Sequence, residues 1–238
     1  MIKRVLITGT SNGVGKAAAK RFLKEDNFMV LGIDNQPATI HNLRYIHYQV
    51  DVRDKDNLPD VGPIDYIVNN AGIVTPQKDA VDVNLFGYIN ILEKYGMNKH
   101  LKSIVQIGST ASIKGYDNIR YCASQGARDA LTKWAANNYG NDERHVIVNS
   151  LNLDGIVAAD PEHGIEGTSL EPELYAADGL MDDIASLSVL KRLATVEEIA
   201  EWIYFLAVVN TVMTGQILSI DGELTGAYKF IKYPGWND

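Results

Sequence analysis

The chain has 238 residues, 46% of them hydrophobic, and a formal net charge of −8. That length suits one domain over residues 1–238 around one substantial core, and the negative balance works against nucleic acid or an anionic membrane surface as a partner. No apolar run nears the roughly 20 residues of a membrane-spanning helix, Met1 to Arg4 leads into a strand pattern rather than a secretory leader, and Cys122 is the sole cysteine, so a cytoplasmic setting is expected.

Val5-Leu6-Ile7 reads as a buried strand, and Thr8-Gly9-Thr10-Ser11-Asn12-Gly13-Val14-Gly15 follows it as a glycine-rich turn. Glycines there permit a tight bend and close backbone approach, and the amides opening the next helix, Lys16 to Lys24, suit a pyrophosphate. Met29 to Ile33 is the second strand and delivers Asp34 to its end. A carboxylate there accepts hydrogen bonds from both adenosine ribose hydroxyls and repels a 2′-phosphate, which favours NAD over NADP. Tyr45 to Val50, Tyr66 to Val68 and Ser103 to Ile107 are the next strands, with a helix expected over Val81 to Tyr95. A helix over Gln125 to Asn138, strands at Val146 to Leu151 and Ile217 to Ile220, and a helix over Val196 to Val208 complete the alternation. Its fold class is α/β: a doubly wound parallel sheet, Rossmann-like, of about seven strands flanked by helices, with ligands at the carboxyl ends of the strands.

Two segments stand outside that alternation. Residues 155–194 carry Pro161, Gly164, Gly167 and Pro172, then a helix-like Glu173 to Leu187, and read as a substrate loop or lid. Glu162, Glu166, Glu171 and Glu173 make the loop acidic, which disfavours strongly anionic substrates. The tail, 225–238, carries Tyr228, Phe230, Tyr233 and Trp236 and is expected to pack on its own body or on another subunit.

Taken in order, Thr-Gly-x-x-x-Gly-x-Gly, Asn69-Asn70-Ala71-Gly72, and Ser109 twelve residues before Tyr121 resemble the single-domain short-chain dehydrogenase/reductase family. Lys191-Arg192-Leu193, Glu197 to Ala200 and Thr214-Gly215-Gln216 leading to Asp221-Gly222 extend the resemblance over nearly the whole chain. It implies that Tyr121 is the general acid/base, that Ser109 hydrogen-bonds the substrate oxygen, and that Asn84 holds a water in a proton relay. It also implies cofactor contacts from Gly9, Ser11, Asn12, Gly13, Val14 and Gly15, from Asp34 and Asn35, from Asp51 and Val52, and from Asn70, Ala71 and Gly72. Tyr121, Gln125 and the backbones of Gly155 and Val157 complete that set. No metal is expected, since the histidines and Cys122 lack ligand spacing.

Tyr121-Cys122-Ala123-Ser124-Gln125 departs from the family's Tyr-x-x-x-Lys at its last residue. The family lysine binds the nicotinamide ribose, and its charge lowers the tyrosine pKa. An amide replaces hydrogen bonds but not charge, so without compensation the phenolate would be scarce near neutral pH. Asp154 and Ala159 depart from the family's Pro-Gly and downstream threonine, and Gly72 to Asn84 is shorter than usual, which implies a more open entrance. Asp154 reads either as a turn carboxylate or as a charge near the nicotinamide. His163 lies in the loop, facing a substrate or solvent.

Two functions remain open on the sequence. One is an NAD(H)-dependent oxidoreductase that interconverts a secondary alcohol and a ketone, of polyol, sugar or hydroxy-acid type, with an altered relay at Gln125. The other is a weakly active or inactive NAD(H)-binding sensor or assembly subunit. Expected partners are a small-molecule substrate and further copies of the chain, as a dimer or tetramer.

Overall fold

A computed structural model describes residues 1–74, 77–115, 118–157, 167 and 180–222. Its parallel strands are β1 Lys3–Thr8, β2 Phe28–Asp34, β3 Tyr45–Gln49, β4 Tyr66–Asn69, β5 Ser103–Ser109, β6 Ile147–Leu153 and β7 Ile217–Ile220. They form one seven-stranded sheet in the order β3-β2-β1-β4-β5-β6-β7, a doubly wound Rossmann-like topology. The helices are α1 Gly13–Leu23, α2 Tyr88–Tyr95, α3 Ile119–Gly140, α4 Leu180–Leu187 and α5 Val196–Tyr204.

The two-residue period of β1 explains how both sheet faces are covered. Val5 and Ile7 pack with Phe22 of α1 and Ile199 and Ile203 of α5, whereas Leu6 points to the other face, with Ile91 and Leu92 of α2 and Ala135 and Tyr139 of α3. Such two-sided burial makes the strand sequences continuously apolar, and it leaves the loops at the carboxyl ends free to carry chemistry.

α1 opens at Gly13, three residues before the expected Lys16, and three further helices differ from their expected bounds. α3 begins six residues before Gln125, because the Asn118 side chain accepts the Tyr121 amide at 3.0 Å and caps the helix. That places Tyr121 in the first turn. The helix expected over Val81 to Tyr95 opens with a π-helical segment, Asp82–Gly87, which buries Asn84 completely. Beyond α5 the chain also continues as a π-helix, Phe205–Val209. Of the expected lid, α4 covers the end of the helix-like stretch; His163, Ala159, the acidic loop residues and the aromatic tail lie outside the described residues. No helix among the described residues is long and apolar enough to cross a membrane.

At the site end of the sheet, β1 and β4 are fastened by one hydroxyl. Thr8 Oγ1 accepts the amides of Asn70 and Ala71, each at 2.9 Å, and Asn70 Nδ2 donates to Thr8 O at 2.9 Å. Thr8 is fully buried, so no solvent replaces the acceptor. Thr8→Val keeps the shape and removes the acceptor of two half-buried amides; a loss of roughly 1–3 kcal/mol in unfolding free energy is expected by urea titration, and an unchanged midpoint would refute the fastening.

Candidate active site

Every candidate site residue named above, where described, lies at or just beyond the carboxyl end of a strand or on a helix facing that edge. Gly9 to Gly15 follow β1, Asp34 ends β2, Asp51 and Val52 follow β3, and Asn70 to Gly72 follow β4. Ser109 ends β5, Gly155 and Val157 follow β6, and Asn84, Tyr121 and Gln125 approach from helices.

The glycine turn is closed on itself. Gly9 and Gly13 have φ of 76° and 55°, and a Cβ on Gly15 would lie 2.0 Å from Gly9 O, so backbone alone fits there. Asn12 caps α1 without a side-chain hydrogen bond, and no acidic residue sits in the first turn. The helix start therefore keeps its positive character toward an anion. Asp34 is oriented by the turn itself: Oδ2 accepts the Ser11 amide at 2.9 Å and Oδ1 the Gln36 amide at 2.8 Å. Each oxygen retains a second acceptor direction. Ser11 Oγ donates to Pro37 O at 2.9 Å, and Thr39 Oγ1 donates to Ser11 O at 2.6 Å, tying the turn to the loop after β2. Asn12 and Asn35 are exposed beside it. Asp51 is clasped by Arg53, whose Nη2 lies at 2.7 Å, and hydrogen bonding to that guanidinium holds the carboxyl below the usual carboxylate range. Val52 is buried beneath it.

In the other half, Ser109 Oγ accepts the Ala111 amide at 3.1 Å. Its own proton remains available to a second acceptor. Tyr121 and Gln125 stand one helical turn apart on α3, on one face. Gln125 is 1% exposed; its Oε1 accepts from Arg128 Nη1 at 3.2 Å. Its Nε2 is a buried donor with no protein partner among the described residues, which fits a site shaped for a polar ligand group. Asn84 is engaged on all sides. Its Oδ1 accepts the Ile73 amide at 2.8 Å, its Nδ2 donates to Ile73 O at 2.7 Å and to Ser124 Oγ at 3.3 Å, and its carbonyl accepts from Arg128 Nε at 2.7 Å.

Beyond β6, the amides of Gly155 and Val157 are taken by Asp154 Oδ1 and Ala194 O, each at 2.9 Å. Neither amide is offered to a carboxamide in this arrangement. Asp154 Oδ2 accepts from Thr110 Oγ1 at 2.6 Å and pairs with Lys114 Nζ at 2.7 Å. Its charge is thus balanced locally, which favours the turn-carboxylate reading over an influence on the nicotinamide.

Sequence reasoning passed over Lys114 and Arg128. The signal for Arg128 is present: Gln125, Arg128, Thr132, Ala135 and Tyr139 are the buried residues of this face of α3, at alternating spacings of three and four. A cation on that stripe is anomalous.

Residues 3–163 match the family model for short chain dehydrogenases. The chain is 29% identical to L-xylulose reductase of Caenorhabditis elegans, covering 92% of this chain and 94% of that protein. It is 27% identical to meso-2,3-butanediol dehydrogenase of Serratia marcescens, covering 94% and 95% respectively. A short chain dehydrogenase family protein from Francisella tularensis superposes with a TM-score of 0.82 at 26% identity, over 95% of this chain and 100% of that one. ElxO with NADP bound superposes with a TM-score of 0.79 at 27% identity, again over 95% and 100%. With the glycine turn, the Asn-Asn-Ala-Gly segment, the serine and the tyrosine all at one edge of the matching sheet, the chain belongs to the short-chain dehydrogenase family.

Proposed function

We propose that the chain is an NAD(H)-dependent oxidoreductase that interconverts a secondary alcohol of polyol or sugar type and its ketone. The observation that carries this reading is the gathering of Ser109, Tyr121 and the buried, unpartnered Nε2 of Gln125 at the edge that also holds the glycine turn and Asp34. That edge fits a dinucleotide. The turn Gly9 to Gly15 and the start of α1 would take its phosphates, Asp34 its adenosine ribose, Asp51 and Val52 its adenine side, Asn70 to Gly72 its middle, and Gln125 Nε2 its nicotinamide ribose. The bound cofactor supplies hydride acceptance and donation.

The chain's own groups handle the proton. Ser109 donates a hydrogen bond to the substrate oxygen and keeps its proton, while its Oγ stays fixed by the Ala111 amide. In the oxidative direction Tyr121 takes the hydroxyl proton onto its phenolic oxygen; in the reductive direction it returns that proton to the ketone oxygen. Asn84, to which the resemblance gives a relay water, also acts as a brace, holding Ile73, Ser124 and Arg128 around the tyrosine.

The preference for NAD rests on Asp34. Two backbone amides hold its carboxylate beside Ser11, and the residues that follow, Asn35, Gln36 and Pro37, bring no basic group. A 2′-phosphate would meet like charge without a counter-ion. The polyol or sugar class draws on the relatives, L-xylulose reductase and meso-2,3-butanediol dehydrogenase. Exposed Trp134, Trp202 and Phe205 support self-association as a dimer or tetramer, and the lone cysteine suits a cytoplasmic setting.

Two measurements test the reading. Tyr121→Phe is expected to lower kcat for oxidation of meso-2,3-butanediol or xylitol with NAD by roughly 100- to 10,000-fold while NADH still binds. Retained turnover would remove Tyr121 from the chemistry, and absence of turnover in the parent protein with tight NADH binding would favour the sensor alternative. Asp34→Asn is expected to move the NAD-to-NADP ratio of kcat/KM toward NADP by about tenfold or more, the equivalent of about 1.4 kcal/mol; an unmoved ratio would dismiss Asp34 as the selector.

A further inference from the structure

Arg128 is the least explained group near this edge. It is a cation 4% exposed, and the acceptors it meets are neutral. Nε donates to Asn84 O at 2.7 Å, Nη1 to Ile107 O at 2.8 Å and to Gln125 Oε1 at 3.2 Å, and Nη2 to Ala71 O at 3.0 Å. The guanidinium carbon lies 3.6 Å from the centre of the Tyr88 ring. Room for the fork exists because residue 72 is glycine: a Cβ there would sit 2.9 Å from Arg128 Nη2. A buried charge solvated by carbonyls, without a carboxylate among these contacts, is unfavourable for stability alone. Its field is therefore not neutralised by a hydrogen-bonded carboxylate among these contacts.

We propose that Arg128 is the positioning residue that replaces the missing lysine charge, favouring the phenolate of Tyr121 and turning Gln125 so that its Nε2 faces the ligand side. The proposal rests on the reading of Tyr121 as the acid/base. Tyr121, Gln125 and Arg128 follow at intervals of four and three on α3, and long helical side chains lean back toward the amino terminus. The guanidinium therefore reaches toward the turn that carries Tyr121. The charge has moved one turn along the helix, from the residue that meets the ligand to the residue that holds it. Because Gln125 Oε1 accepts from Arg128, only its donor end is left for a ribose hydroxyl, which reproduces the donor character of a lysine.

Burial lowers the Arg128 pKa, and the phenols of Tyr88 and Tyr121, with Asp129, act in the opposite direction. That coupling is reciprocal, so the cation that a phenolate at Tyr121 would favour also favours the phenolate. Of the other titratable groups nearby, Asp129 offsets part of that field and the rest do not. Tyr88 donates its hydroxyl to Ile107 O and is pushed by burial to about 12, hence neutral. Asp129 accepts from Asn152 Nδ2 at 2.9 Å, and Asp154 is paired with Lys114.

The test is the titration of Tyr121 in the full-length chain, followed by NMR of ζ-carbon-labelled tyrosines and assigned with Tyr121→Phe. Arg128→Met is expected to raise the Tyr121 midpoint by roughly 1–3 units, and to move the pH profile of kcat/KM for meso-2,3-butanediol oxidation by the same amount. Arg128→Lys, which keeps the charge and loses the fork, is expected to shift it less. If Arg128→Met fails to fold, the double variant Gln125→Lys/Arg128→Leu decides. A midpoint near that of the parent supports the charge-replacement account, and one raised by about a unit or more overturns it. A folded Arg128→Met protein with an unmoved midpoint also overturns the proposal, and if Tyr121→Phe then still abolishes turnover, the dehydrogenase reading stands without it. A moved midpoint in a protein that turns over no diol or sugar has the reverse meaning.

Discussion

The buried guanidinium of Arg128 ties together the parts of the site that come from distant segments. Its acceptors are supplied by the segment after β4, the π-helical segment, β5 and α3, and it stacks on a ring from α2. Five pieces of chain are thereby held in one arrangement by a rigid planar group. A lysine cannot reproduce that geometry, because a single ammonium presents three donors from one point rather than a fork. The electrostatic penalty of burying this charge is balanced against carbonyl dipoles already fixed by sheet and helix, which need no reorganisation to receive it.

The adenosine side is organised on a different principle. There, backbone amides rather than a side-chain cation set the geometry: the Ser11 and Gln36 amides orient Asp34, and the Thr39 hydroxyl holds the Ser11 carbonyl. The glycine turn and the Asp34 carboxylate form one unit, so the turn itself aims that carboxylate. The Thr8 hydroxyl extends the same logic to β4, where two amides of the Asn-Asn-Ala segment converge on one oxygen. The two halves of the edge thus differ in kind, one built from backbone amides around a carboxylate, the other arranged around a cation.

Much of this was legible in the chain because buried parallel strands are written as short apolar runs. Each of the seven expected strands is present, with ends differing by only a few residues. The helix boundaries were less legible. A cap by Asn118 depends on where its side chain finds an amide, and the π-helical turn at Asp82–Gly87 depends on Asn84 meeting Ile73, Ser124 and Arg128 at once. Neither event has a periodicity. Likewise, the Val157 amide looks available in a sequence and is engaged in the fold, because Ala194 returns beside it from 37 residues on.

The sequence by itself determined the α/β architecture, the order of the motifs and the absence of a lysine four residues after Tyr121, since all three are matters of residue type and spacing along the chain. Only the tertiary structure decided which groups surround the Arg128 cation one turn further on. The spacing of Arg128 on α3 marks it as a cation on a buried stripe, but not what it meets there, because its partners Ala71, Asn84 and Ile107 are far away in sequence and act through their carbonyls, which every residue possesses. Which carbonyls converge on one guanidinium is a property of packing, not of composition.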